Sequence, residues 1–293
     1  MFAFVLVDRD RDEVTLVRDR LGIKPLYLHE REGRLRFASS LPALLRAGGV
    51  GTDIDPVALH HYMTFHSVVP PPRTILAEVR KLPPATILRL GADGSRRERR
   101  YWDLDFDAPA PRDAMSMQDW SDEVLSTLRT AVERRQVADV PVGVLLSGGV
   151  DSSLITGLLA EGGQKDLQTF SIGFESHGMI EGDEFKYSDV VAQTFGTDHH
   201  QIRIPSVDLP AALGEAIAAM SEPMVSHDAV AFHLLSREVA KHVKVVQSGQ
   251  GADEVFAGYH WYPPMAAAAD DDPEAALTAY RAAFFDRSHD AMA

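Results

Sequence analysis

The stretch "VGVLLSGGVDSSL" at 142–154 decides the fold. "VGVLL" is nearly continuous apolar sequence, the pattern of a strand buried on both faces in a parallel sheet. It stops at Ser147-Gly148-Gly149. Glycines let a backbone turn tightly and approach an anion with no Cβ in the way. A helix starting near Asp151 aims its free N–H groups, and roughly half a positive charge, at the same spot. Ser147, Ser152 and Ser153 add hydroxyl donors. In an open parallel sheet, ligands sit beyond the carboxyl ends of the strands. The motif therefore reads as a phosphate cradle, but one without the lysine of the G-x-x-x-x-G-K-[ST] loop. Asp151 would repel a bare phosphate. A divalent cation bridging carboxylate and phosphate removes that conflict, and Mg²⁺ suits oxygen ligands. Locally, a plain strand, turn and helix with a capping aspartate would look the same.

A second stretch, "VVQSGQGADEVFAGY" at 245–259, repeats the arrangement. An apolar strand ends at Ser248-Gly249-x-Gly251, and Asp253 and Glu254 open a helix. Two strand-end turns, each followed by an aspartate, fit one site if they face each other. Asp151 and Asp253 would then share the metal. The competing reading is again a pair of helix-capping acids.

Outward from these motifs, the chain divides in two. From Asp119 onward, Trp120, Val124, Leu128 and Val132 recur every four residues, one apolar helical face. Strands are expected at 140–146, 167–173, 199–204 and 243–248, with helices at about 151–161, 184–195, 207–220 and 229–242. That alternation predicts a parallel sheet covered on both faces by helices. Before it, "DAPAPRDAMSMQ" at 107–118 has linker composition. The first hundred residues carry short strand patterns, "FAFVLVD", "EVTLVRD", "LYLHE" and "LRFAS", separated by turn residues and suggesting an antiparallel sheet. Asp55-Pro56 opens a helix as N-cap and first-position proline. "KLPPATILRL" returns to strand. Arg96–Arg100 reads as a solvated charge run, and Trp102 and Trp120 as core.

Composition narrows the function classes. At 45% hydrophobic and 25% charged, the 293 residues suit ordinary globular domains, enough chain for two. No apolar run approaches the ~20 residues needed to span a bilayer. Acid and arginine arrive at Asp8 and Arg9, unlike a secretory leader. A net charge of −14 argues against broad binding to nucleic acid or anionic membrane. The absence of cysteine excludes disulfides, zinc–thiolate sites and a thiol nucleophile supplied by these residues. The cytoplasm is the default compartment.

At the two glycine turns the sequence resembles the asparagine synthetase family, glutamine-dependent amidotransferases built on a pyrophosphatase-type ATP domain. "LLSGGVDSSL" is similar to that family's pyrophosphate loop. "TFSIGFE" at 169–175 is similar to the strand lining the adenine and ribose pocket, and "SGQGADEVFAGY" to the second metal and substrate motif. "MFAFVLVD", "RDRLGIKPLYL" and "LRFASSLPALL" resemble the later part of the glutaminase domain, and "PPPRTILAEVRKLPPA" the segment after it.

The resemblance implies an α/β fold. A partial glutaminase domain, of the N-terminal-nucleophile α+β type, is expected over 1–106, and the linker over 107–118. An ATP pyrophosphatase domain of HUP-like parallel-sheet type is expected over 119–293, cut short at its C-terminal end. It also implies a two-step reaction: ATP activates a carboxylate as an acyl-adenylate, releasing pyrophosphate, and ammonia then displaces AMP. By residue, Ser147, Gly148, Gly149, Asp151, Ser152 and Ser153 would hold the β- and γ-phosphates. Asp151 and Asp253 would hold Mg²⁺. Leu145, Ile172 and Gly249, with neighbouring Ser248, would contact adenosine. The partners implied are small molecules (ATP, a carboxylic acid, ammonia or glutamine) and a second copy in a homodimer.

Three departures bear on function. "MFAF" lies well inside the family's glutaminase domain, so its cysteine nucleophile is absent. Gln250 stands where the family often has glutamate, at a catalytic position between the two glycines. Glutamine cannot serve as a general base, so the base lies elsewhere or the substrate differs. The family's C-terminal helical part, with a further lysine, is also missing. These residues alone are expected to be weakly active or inactive. "SEPMVSHD" and Gln250 are most similar to the branch that amidates N-acetylglutaminylglutamine, with asparagine formation from aspartate as the second reading. Two other classes stay open: a nucleotide-binding remnant without turnover, and another ATP pyrophosphatase such as a tRNA thiolase, against which the acidic charge argues.

His199-His200 opens a strand. Adjacent positions point to opposite faces, which argues against joint metal ligation. Glu222-Pro223 and His227-Asp228 read as a loop that is equally a border of the acyl-substrate pocket or a simple turn, and Asp183-Glu184 as a helix start. Arg18, Asp19 and Gly22-Ile23-Lys24-Pro25 read as packing.

Overall fold

The computed structural model describes residues 1–105, 115–174, 185–205, 208–223, 228–268 and 272–292. Packing divides the chain into two units. One comprises Met1–Pro109, Ala219–Ser226 and Glu274–Ala293, the other Ala110–Ala218 and His227–Pro273. Two short segments of the second half of the sequence thus pack with the first.

The N-terminal unit holds β1 (Ala3–Asp8), β2 (Glu13–Arg18), β3 (Tyr27–Arg31) and β4 (Arg34–Ala38), then helices α1 (Leu41–Arg46) and α2 (Pro56–Thr64). Strands β5 (Val79–Lys81), β6 (Thr86–Gly91) and β7 (Arg96–Arg100) follow. They form two antiparallel sheets, ordered β1-β2-β6-β7 and β4-β3-β5. Leu16 and Leu88 from the first sheet pack against Leu28 from the second and against Leu26 and Leu82, all five buried. Alternation sends Tyr27 and Val79 to the opposite face, where Leu41 and Leu44 of α1 cover them. The N-cap of α2 is as the sequence implies: Asp55 accepts from the N–H groups of Val57 at 2.8 Å and Ala58 at 3.2 Å.

Arg18 and Asp19, both buried, are packing residues within this unit. Arg18 donates to the carbonyls of Gly22, Lys24 and Leu82. Asp19 accepts from the N–H groups of Ile23 at 3.0 Å, Lys24 at 2.9 Å and Phe2 at 3.2 Å. Burial opposes its charge, but the donors from Lys24, Ile23 and Phe2 outweigh it and hold the carboxyl below its ordinary range.

Arg96–Arg100 is exposed throughout, as a solvated charge run should be, and it forms a strand, β7, paired with β6. Its charges carry no alternation, so the pattern signal for a strand is missing. Trp120 is not core: it is 37% exposed.

Glu222 also belongs to the N-terminal unit. Lys81 Nζ donates to both of its oxygens, at 2.9 and 3.0 Å, and to the Val69 carbonyl at 2.7 Å. The Tyr27 hydroxyl donates to the same carboxylate at 3.1 Å. Burial and that carboxylate push the Tyr27 hydroxyl well above its ordinary value, so it remains a donor. Removing one partner of a buried pair leaves the other charge uncompensated. Lys81→Met is therefore expected to destabilise this unit by about 3–5 kcal/mol. Chemical denaturation measures it, and a shift below about 1 kcal/mol would show that the pair is solvated and idle.

The second unit begins with α3 (Met117–Arg134). Ser116 and Asp119 form its capping box. Then β8 (Val142–Leu145), α4 (Val150–Glu161), β9 (Gln168–Phe174), α5 (Phe185–Phe195) and β10 (Asp198–Ile204) alternate as expected. After them come α6 (Asp208–Ala219), α7 (Asp228–Val239), β11 (Val245–Gln247), α8 (Ala252–Phe256) and α9 (Tyr262–Ala268). The last helix, α10 (Pro273–Phe284), returns to the N-terminal unit, where Phe285 meets Phe65 edge-on at 5.0 Å.

The sheet of this unit is fully parallel, ordered β10-β9-β8-β11. Helices cover both faces. On one, Val144 packs with Val132 of α3 and Leu158 and Leu159 of α4. On the other, Leu145, Phe170 and Ile172 pack with Leu235 and Val239 of α7. The expected linker at 107–118 falls largely outside the described residues, as do Asp183-Glu184 and His227. Among the described residues, no helix is long and apolar enough to cross a membrane.

Candidate active site

The strand order fixes where a ligand can sit. From β8 the chain moves one way to β9 and β10, then returns to place β11 on the other side of β8. Val142, Gly143 and Val144 pair with Val245, Val246 and Gln247. At such a reversal the connections leaving neighbouring strands diverge and open a crevice at their carboxyl ends. A cavity of about 350 Å³ lies there. Small-molecule sites begin at about 300 Å³.

Both glycine turns reach it. Ser147, Gly149, Asp151 and Ser152 line it from the first turn, and Ser248, Gly249, Gln250 and Asp253 from the second. The contact between the turns is direct. A Cβ built on Gly249 would lie 2.8 Å from Asp151 Cβ and 3.0 Å from the Ser152 nitrogen. Only a glycine allows that approach.

Hydroxyls organise the first turn. The Ser152 hydroxyl donates to the Gly149 carbonyl at 3.2 Å, so the Ser147 hydroxyl, 3.0 Å away, donates to Ser152 Oγ. The Gly149 N–H in turn donates to Ser147 Oγ at 3.2 Å. In the second turn the Gln250 N–H donates to Ser248 Oγ at 3.1 Å. Gly148 and Ser153 fall outside the cavity lining. Ser153 instead donates to the Gly149 carbonyl at 2.7 Å.

Apolar side chains also line the cavity. Leu145 and Ile172 are among them, with Leu146 and Phe170 of the same sheet. Phe185 of α5 and Phe232 and Leu235 of α7 complete the set. The Arg203 guanidinium lies over the Phe185 ring, 4.7 Å from its centroid. Phe185 and Phe232 carried no signal in the sequence, because single aromatics on helices look like ordinary core. A cavity lined by serines, glycines and two aspartates as well as by aromatic and aliphatic side chains suits a ligand with an apolar part and a polyanionic part.

His199 and His200 take opposite faces of β10, as expected. His200 stacks on Phe170 with centroids 5.0 Å apart, and His199 meets Thr169 and Ser171. No group of three or more metal-binding side chains occurs among the described residues.

Known families match both halves. The asparagine synthase family model matches residues 123–291, more than half of the chain. This chain belongs to the asparagine synthase family. A glutamine amidotransferase domain model matches residues 1–102. A putative glutamine-hydrolysing asparagine synthetase from Mycobacterium tuberculosis is 37% identical over 266 residues, 89% of this chain and 40% of its own. Asparagine synthetase 1 of Bacillus subtilis is 32% identical over 262 residues, with the same two shares. This asparagine synthase family chain thus spans about two fifths of the length of these curated relatives. A solved NH3-dependent NAD synthetase from Campylobacter jejuni is a distant likeness. It is 16% identical with a TM-score of 0.35, over 47% of this chain and 60% of its own.

Proposed function

We propose that this chain carries the ATP-dependent amidation site of a glutamine-dependent amidotransferase. A carboxylate attacks the α-phosphorus of ATP, the acyl-adenylate forms as pyrophosphate leaves, and ammonia displaces AMP to give the amide. In this reading residues 1–106 are part of a glutaminase domain, 107–118 a linker and 119–293 the synthetase domain. The observation that carries it is the meeting of the two aspartate-bearing turns, through Gly249 and Asp151, on one cavity.

Each residue then has a task. The lining at Leu145, Ile172 and Gly249 receives adenosine, and Phe185 and Phe232 extend it. The turn from Ser147 to Ser153, at the N-terminal end of α4, receives the phosphates through hydroxyls and N–H groups. Such fixed donors need no reorganisation as charge builds on departing pyrophosphate. Asp151 and Asp253 both line this cavity. Mg²⁺ is typically held by one or two carboxylates plus phosphate oxygens, so this donor set fits it. When bound, the ion would neutralise charge on the phosphates. Gln250 lines the cavity with an amide, which orients a substrate but takes no proton at neutral pH.

The favoured acid is N-acetylglutaminylglutamine, on the strength of Gln250 and the run at 221–228. A second reading, aspartate as substrate, is favoured by the relatives described as asparagine synthetases. The protein carrying this chain, given ATP, Mg²⁺, ammonia and each acid in turn, is expected to release pyrophosphate and amidate the dipeptide. Amidation of aspartate alone would overturn the substrate choice. Failure to bind ATP in calorimetry would overturn the ligase reading, and ATP binding without pyrophosphate release would favour a nucleotide-binding remnant.

A further inference from the structure

Behind the cavity wall runs a chain of hydrogen bonds whose direction can be worked out donor by donor. The Ser171 hydroxyl donates its single proton to the Leu146 carbonyl. Ser171 Oγ is therefore the acceptor toward His199 Nε2, 3.3 Å away, and Nε2 carries the proton. A neutral ring then leaves Nδ1 as an acceptor, and Thr169 Oγ1 lies 2.8 Å from it as donor. Thr169, its own proton committed, accepts from the Thr197 hydroxyl at 2.8 Å. Thr169 and Ser171 are buried, so water does not replace a missing partner.

The end of this relay matters most. The β8–β9 ladder pairs Val144 with Thr169 and Leu145 with Phe170 and goes no further. Leu146 N–H still reaches the Phe170 carbonyl at 2.8 Å, but the Leu146 carbonyl lies past the ladder. A side chain, Ser171, holds it where the chain turns into Ser147-Gly148-Gly149. Leu146 and Ser171 both line the cavity.

We propose that His199 is a positioning residue of the nucleotide site: its neutral, Nε2-protonated ring orients Ser171, which pins Leu146 at the root of the phosphate turn. This rests on the nucleotide reading above. A charged ring would donate from Nδ1 as well, so Thr169 would accept there and turn its own hydroxyl to Thr197, reversing that end of the relay. The titratable and charged groups facing His199 are Asp189 of α5, whose Oδ1 lies 3.8 Å from Nε2, and His200 beside it on β10. Gln201 already donates to that Asp189 oxygen at 2.6 Å. Burial disfavours charge on His199 more than Asp189 favours it, so the ring titrates below the ordinary imidazole value.

Three measurements test this. In the free protein near pH 7, nitrogen-15 spectra are expected to show His199 as the Nε2–H tautomer; an Nδ1–H or charged ring overturns the relay. His199→Phe, which keeps the ring shape and removes both nitrogens, is expected to weaken Mg·ATP binding about tenfold. His199→Gln, which returns a donor near Nε2, is expected to stay within about threefold. Equal ATP affinity in a folded His199→Phe variant overturns the positioning role while the nucleotide reading stands. Absence of ATP binding in the unmodified protein overturns the nucleotide reading and with it the role, while the tautomer still judges the hydrogen-bond chain.

Discussion

Gly148→Ala is expected to destabilise the second unit by about 2–5 kcal/mol and to abolish nucleotide binding, whereas Gly149→Ala next door changes stability by less than about 1 kcal/mol. Gly148 has φ +86°, where an alanine is strained whatever the space around it. Space is also lacking. Its Cβ would lie 2.5 Å from Tyr187 Cβ and 2.6 Å from the Ser188 nitrogen, and backbone of α5 cannot swing aside as a side-chain tip would. Gly149 has φ −69°, and its Cβ would meet only Ser147 Oγ, at 3.4 Å. Denaturation of both variants, with ATP titration of each, separates the cases. Similar stability for the two would show that the Gly148-Gly149 turn does not rest against α5.

Asp151→Asn and Asp253→Asn are each expected to lower Mg²⁺-dependent pyrophosphate release by about 100-fold or more, with little effect on stability. Each change keeps the side chain's shape and removes only its charge. The α4 turn, held by Ser147, Ser152 and Ser153, uses neither carboxylate in its hydrogen bonds. In the proposed site the two carboxylates share one ion, so losing either leaves half of its protein ligands. Calorimetry with and without Mg²⁺ reads this directly. The metal should strengthen ATP binding to the unmodified protein and add little in either variant. An undiminished Mg²⁺ effect in both variants would remove the metal from these residues.

Several features were legible because their signals are local. An apolar strand, a Gly-Gly turn and an aspartate within 13 residues mark the strand-end turn that lines the cavity, and the β/α alternation after it marks a parallel sheet. Asp55-Pro56 announced a helix start that the structure keeps. Other features were not legible. β7 is held by its pairing with β6, which its arginine-rich sequence does not advertise. Phe185 and Phe232 reach the cavity only because of how α5 and α7 lie on the sheet. Glu222 read as part of a loop, and the structure gives it to Lys81 and Tyr27.

The sequence by itself determined the parts of the site: the two glycine turns, their aspartates, and the strands and helices carrying them. Those are set by backbone sterics and hydrophobic period over a few neighbouring residues. Only the tertiary structure decided that the parts meet. Val142–Val144 and Val245–Gln247 are about a hundred residues apart, and nothing in either says that they pair. Pairing is a non-local choice made by burial of the whole sheet, and it brings Gly249 against Asp151 and gives Ser171 a histidine to lean on.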